Sequence, residues 1–98
     1  MKPENVNSPK SSWMLIDVLY EDGGDGDSLA VGKWDGKPVL AARWNGEDDK
    51  SIGNPQSRGL PTWFVLPEHY NRALLENLPP KVLPAKKKAI AMALLGLD

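Results

Sequence analysis

A chain of 98 residues is one domain's worth, and a domain of this size buries roughly 60–70% of the surface its unfolded chain would expose. Cysteine is absent, which excludes a disulfide framework, a thiolate nucleophile and a cysteine-ligated metal, and which fits a reducing cytoplasm. With 12 basic and 13 acidic side chains there is no global field to draw the protein onto a polyanion, and no segment approaches the ~20 apolar residues of a membrane span.

Residues 1–11 are polar and interrupted by Pro3 and Pro9; they read as a flexible arm ahead of a single domain over 12–98. The first strand is Trp13–Tyr20. Both of its alternation classes are mostly apolar, the pattern of a strand covered on two faces, with Asp17 as the exception. Glu21–Asp27 combines glycines with mutually repelling carboxylates and reads as a loop. A second strand, Ser28–Trp34, meets Asp35-Gly36, a pair that supplies the positive φ angles of a two-residue hairpin turn. That turn sets Trp34 opposite Lys37, Val31 opposite Leu40 and Leu29 opposite Ala42. One face then holds Leu29, Val31, Leu40, Ala42 and Trp44, and reads as core. The other holds Ala30, Gly32, Trp34, Val39, Ala41 and Arg43, and suits close approach by a helix or a partner chain. A three-residue turn, Trp34-Asp35-Gly36, would slip the pairing and mix these faces.

Asn45–Pro61 has no apolar period, and loops of such length are usually functional or disordered. Thr62–Leu66 is an unbroken apolar run, expected as a fourth strand central in the sheet. Pro67 and Glu68 open a helix with Tyr70, Leu74 and Leu78 as its buried stripe, and Pro79-Pro80 ends it. A second helix runs from Pro84 or Ala85 to Leu95, with Ile90, Ala93, Leu94 and Leu97 on its apolar side and Gly96 as its stop. The expected fold is therefore α+β: a four-stranded, mainly antiparallel meander with a tight hairpin at Asp35-Gly36, followed by two C-terminal helices.

The chemistry is sparse. His69 is the only histidine and reads as a surface residue; without it no nucleophile–base–orienter set can be assembled, so no catalysis and no cofactor are expected. The carboxylates Asp22, Asp25 and Asp27 depart from the EF-hand spacing and, like Glu47-Asp48-Asp49, read as solvated connectors without a metal. Trp34 and Trp44 flank the hairpin beside basic residues. Aromatics and arginine are the usual anchors of protein interfaces, so Trp34, Arg43, Trp44 and Arg58 form the expected partner-binding surface of a non-catalytic interaction module. The alternative is a small anionic ligand held by Asn54, Gln56, Ser57 and Arg58, a donor-rich run that lacks the Lys-Ser/Thr ending of a P-loop. The competing account is a self-satisfied loop. Third comes local nucleic-acid contact through Lys86-Lys87-Lys88, which sit where cations oppose the helix dipole. The last helix is apolar nearly all round, so the partner can also be a second copy, with Met92 and Leu95 at a homodimer interface.

Overall fold

The structure, a computed structural model, describes residues 1–23, 25–47 and 51–97; Gly24 in the first acidic loop and Asp48 and Asp49 in the second acidic run lie outside the described residues. Its strands are β1 (Trp13–Glu21), β2 (Asp27–Trp34), β3 (Lys37–Trp44), β4 (Gln56–Ser57), β5 (Leu60–Pro61) and β6 (Phe64–Val65). Its helices are α1 (Asn71–Asn77) and α2 (Ala85–Leu95). Single 3-10 turns occupy Pro3–Asn5 and Glu68–Tyr70. The main sheet has the order β1-β2-β3-β6 and is antiparallel throughout, with β4 and β5 forming a separate small hairpin. The fold is thus the α+β arrangement expected from the sequence.

The hairpin takes the two-residue turn. Asp35 and Gly36 have φ of 50° and 84°, and Trp34 pairs with Lys37, Val31 with Leu40 and Leu29 with Ala42. An ideal Cβ on Gly36 meets nothing within 4 Å, so a side chain there is penalised by backbone strain alone. Gly36→Val should lower stability by about 1–2 kcal/mol, and Gly36→Asn, which tolerates the left-handed region, by less. Urea midpoints check this; equal midpoints for wild type and Gly36→Val would refute the turn's contribution.

Each face of the sheet carries its own core. Leu29, Val31 and Leu40 pack with Leu19, Leu75, Leu83 and Ala91 beneath the two helices. Ala30 and Ala41, on the opposite face, pack with Trp13, Trp63 and Val6. β1 serves both because its register shifts between Leu15 and Asp17 and again between Val18 and Tyr20. An extra residue in a strand reverses the in-out phase. Trp13 and Leu15 therefore face one core and Leu19 and Tyr20 the other, whereas Met14 and Ile16, expected to be covered, are exposed.

Three expectations require correction. The N-terminal segment, expected as a flexible arm, is packed: Val6 and Pro3 are buried, the Trp63 Nε1–H donates to the Val6 carbonyl at 2.8 Å, and Ser8 forms a bridge with Thr62. Two isolated apolar anchors among polar residues carry no period, so composition concealed them. β6 is a short edge strand paired only with β3, not a central one. Its run is apolar on both sides because Trp63 fills the core behind the sheet, while Phe64 on the other side stays exposed.

The helices match their expected stripes only in part: Leu74, Leu78, Leu94 and Leu97 pack against the helix-side core, but the remaining stripe residues do not. Leu75 and Asn71 are the buried residues of α1 and Tyr70 is exposed; Ala91 is the buried residue of α2, with Ile90 and Ala93 outward. Gly96 does terminate α2, at φ 72° with the Leu97 N–H donating to the Met92 carbonyl, as in a Schellman cap.

Candidate functional site

At the end of the hairpin remote from its turn, the last residue of β3, Trp44, lies opposite the first residue of β2, Asp27. Cross-strand partners share a face, so both project on the helix side of the sheet with Ala42 and with Phe64, the partner of Ala42 on β6. The helices do not reach this end. Trp44 is 61% exposed and Phe64 58%, and with Asp27, Ala42, Asn54 and Pro55 they border a concavity of ≈ 390 Å³. A second concavity of ≈ 370 Å³ lies between Leu66 and α1, lined by Tyr70, Ala73, Leu74, Asn77 and Leu78. Phe64 and Leu66 are two residues apart on one strand and so share a side of it.

The backbone around Trp44 is fixed from several directions. Asn54 and Trp44 exchange both backbone hydrogen bonds, at 2.7 and 3.1 Å. This approach is so close that a Cβ on Gly53, itself at φ +67°, would lie 2.1 Å from the Trp44 carbonyl oxygen; only glycine fits. Next in sequence, Asn45 is buried. Its Oδ1 accepts from the Ser28 hydroxyl at 2.6 Å, and its N–H donates to the Gly26 carbonyl at 3.0 Å.

Arg43 projects to the opposite face and is only 3% exposed. Its Nη1 donates to the Thr62 carbonyl at 2.5 Å and its Nη2 to the Ile52 carbonyl, while Nε has no partner among the described residues. Burial pushes its pKa down, though a guanidinium stays protonated in proteins. This side chain ties the middle of the long segment after β3, at Ile52, and the residue just past its end, Thr62, to the sheet. The described part of that segment is built rather than loose, and it includes the β4–β5 hairpin with Arg58-Gly59 at its turn.

On the groove side, the Tyr20 hydroxyl donates to Asp27 Oδ2 at 2.5 Å. Burial first, and the Asp27 carboxylate second, push the Tyr20 ionisation far above its ordinary range, so the hydroxyl remains a donor.

The four residues expected to form one partner-binding surface do not. Trp34 pairs with Lys37 at the turn end, seven residues along β2 from the Asp27–Trp44 pair, or roughly 23 Å at ~3.3 Å per residue, and on the opposite face. Arg43 is interior, and Arg58 is at the tip of the small hairpin. Only Trp44 belongs to the groove. The anionic-ligand set is also dispersed: Asn54 borders the groove, the Gln56 amide donates to the Gly53 carbonyl at 2.8 Å, and Ser57 and Arg58 are exposed on the hairpin.

Met92 and Leu95, expected at a dimer interface, are half-buried against the helix-side core. Ala91 and Leu83 set the rotation of α2, and the outward side carries Lys86, Ala89, Ile90 and Ala93 instead. Within the lysine run, Lys87 Nζ donates to both Asp17 oxygens, at 2.8 and 2.9 Å. That contact explains both the acidic exception in β1 and one cation at the helix start. Alanine replacements of Asp17 and Lys87 should show a coupling of about 0.5–1 kcal/mol in a double-mutant cycle on urea midpoints; strict additivity would remove the pair from the stabilising contacts. His69 is exposed, its ring edge-on to Tyr70 with centroids 4.5 Å apart.

Sequence reasoning missed Phe64, Pro55 and Asp27. The mixed burial of an edge strand has no distinct periodic signal, but extending the hairpin register by two residues would have set Asp27 opposite Trp44. No helix among the described residues is long and apolar enough to cross a membrane. The chain matches no protein-family model, and neither a curated protein nor a solved structure is significantly similar to it.

Proposed function

We propose that the protein is an interaction module that receives an extended peptide segment of a partner protein in the groove between Trp44 and Phe64. The observation that carries this reading is the pair of large aromatic side chains left 61% and 58% exposed beside a ≈ 390 Å³ concavity. Aromatic anchors dominate interface energetics, because two rotatable bonds deliver a large apolar area at small entropic cost. The rigid hydrogen-bonded backbone beneath Trp44 lowers the ordering cost of association further. An extended segment suits the spacing: same-side side chains of a strand repeat every two residues, the interval between Phe64 in the first concavity and Leu66 in the second.

Selection of an unbiased displayed-peptide library on the purified protein tests this reading. Selected peptides should bind at least tenfold more weakly to Trp44→Ala and to Phe64→Ala, both with wild-type circular dichroism. Peptides that bind both variants as well as wild type, or a library that yields no binder, would refute it.

A further inference from the structure

We infer that the segment received in the groove is cationic, an arginine or lysine side chain lying against the Trp44 indole with the Asp27 carboxylate as its ion-pair partner. This inference rests on the reading of the groove as a peptide site and specifies its occupant.

The charge of the groove decides between possible occupants. Asp27 and Arg43 are the two charged residues that border it, but strand alternation places the Arg43 side chain on the other face, with carbonyl oxygens as its acceptors. The charge left beside Trp44 and Phe64 is a carboxylate. Tyr20 anchors this carboxylate through Oδ2, and Oδ1 has no hydrogen-bond partner among the described residues. An anchored carboxylate with a free oxygen next to an exposed indole supplies both things an alkylated cation seeks: a charge-assisted hydrogen bond and the negative face of an aromatic ring.

The surroundings are mostly of the same sign, although the Met1 ammonium donates to the Asn45 carbonyl at 3.0 Å, next to Trp44. Glu21 and Asp22 border an adjoining concavity of ≈ 250 Å³ with Tyr20 and Asp27, where Lys81 is the only cation among the lining residues. Asp25 and Glu47 are exposed in the segments that lead into Asp27 and away from Trp44. This end of the sheet therefore attracts cationic segments and repels acidic ones before contact is made, which also argues against an anionic ligand here.

The test uses pools of synthetic eight-residue peptides with one fixed central residue, arginine, its neutral isostere citrulline, or glutamate, and random flanks. The readout is the Trp44 indole N–H signal in nitrogen-15 spectra, identified by its loss in Trp44→Phe. The arginine pool should shift this signal at concentrations at least tenfold lower than the citrulline pool. The advantage should shrink in 0.5 M salt and vanish in Asp27→Asn, which keeps an oxygen acceptor for Tyr20. Equal response to arginine and citrulline pools, or a stronger response to glutamate, would overturn the cationic occupant while leaving the groove a peptide site. Failure of every pool to move the Trp44 signal would overturn both.

Discussion

Trp63→Ala should cost about 3–5 kcal/mol of folding free energy, a large part of the about 5–15 kcal/mol available to a typical domain. Trp63 is 7% exposed, and its ring meets that of Trp13 with centroids 5.9 Å apart. Truncation removes a large apolar surface and opens a cavity in a core of few residues, Val6, Trp13, Ala30 and Ala41. It also deprives the Val6 carbonyl of its indole donor, releasing the N-terminal segment from the sheet. Trp44→Ala, at a tryptophan 61% exposed, should change stability by no more than about 0.5 kcal/mol. Urea denaturation of the two variants gives the comparison directly. Similar midpoints would mean that the core behind the sheet contributes little. Trp63→Phe should fall between the two, since it keeps part of the ring packing and loses the donor to the Val6 carbonyl.

The second large effect is expected at Gly32. A Cβ there would lie 2.4 Å from Cη2 of Trp13 and 2.6 Å from the Met14 carbonyl oxygen. The indole is held in place by Trp63 and the carbonyl belongs to the paired strand, so neither relaxes by a simple rotamer change. Gly32→Ala should therefore fall at the upper end of the penalty for overpacking, about 3 kcal/mol. It should also weaken the near-ultraviolet circular dichroism of the Trp13–Trp63 pair. A midpoint and spectrum like those of the wild type would show that β1 and β2 separate more easily than their pairing suggests.

How much of this was legible in the sequence depended on whether a feature was local. Asp35-Gly36 carries its own backbone instruction, and from it followed the register and which residues share each face, though Trp44, on the face read as core, is exposed. The helix ends were legible for the same reason, through Gly96 and Pro79-Pro80. The rest depended on contacts between distant residues. Arg43 read as a surface anchor because nothing near it in sequence announces that Ile52 and Thr62 will offer it carbonyl oxygens. Asp17 looked like an interruption of a strand because its cation, Lys87, is 70 residues away. The groove was half legible: Trp44 stood out, whereas Phe64 was concealed in a uniformly apolar run in which its neighbour Trp63 is the buried one.

The bond between Trp63 and Val6 spans 57 residues, and this separation has a consequence for synthesis on the ribosome. Once Trp44 has left the exit tunnel, β1, β2 and β3 are all available, yet Trp63, 19 residues further on, is still inside the tunnel. At about 5–20 residues per second, the growing chain spends about 1–4 s in that condition. Throughout this interval Trp13, Ala30 and Ala41 lack the indole that covers them, and residues 1–8 lack the donor that holds them. The nascent meander thus presents a sticky side before its cover is complete, and slower elongation while residues 45–63 emerge lengthens the period in which chaperones or neighbouring nascent chains can reach it.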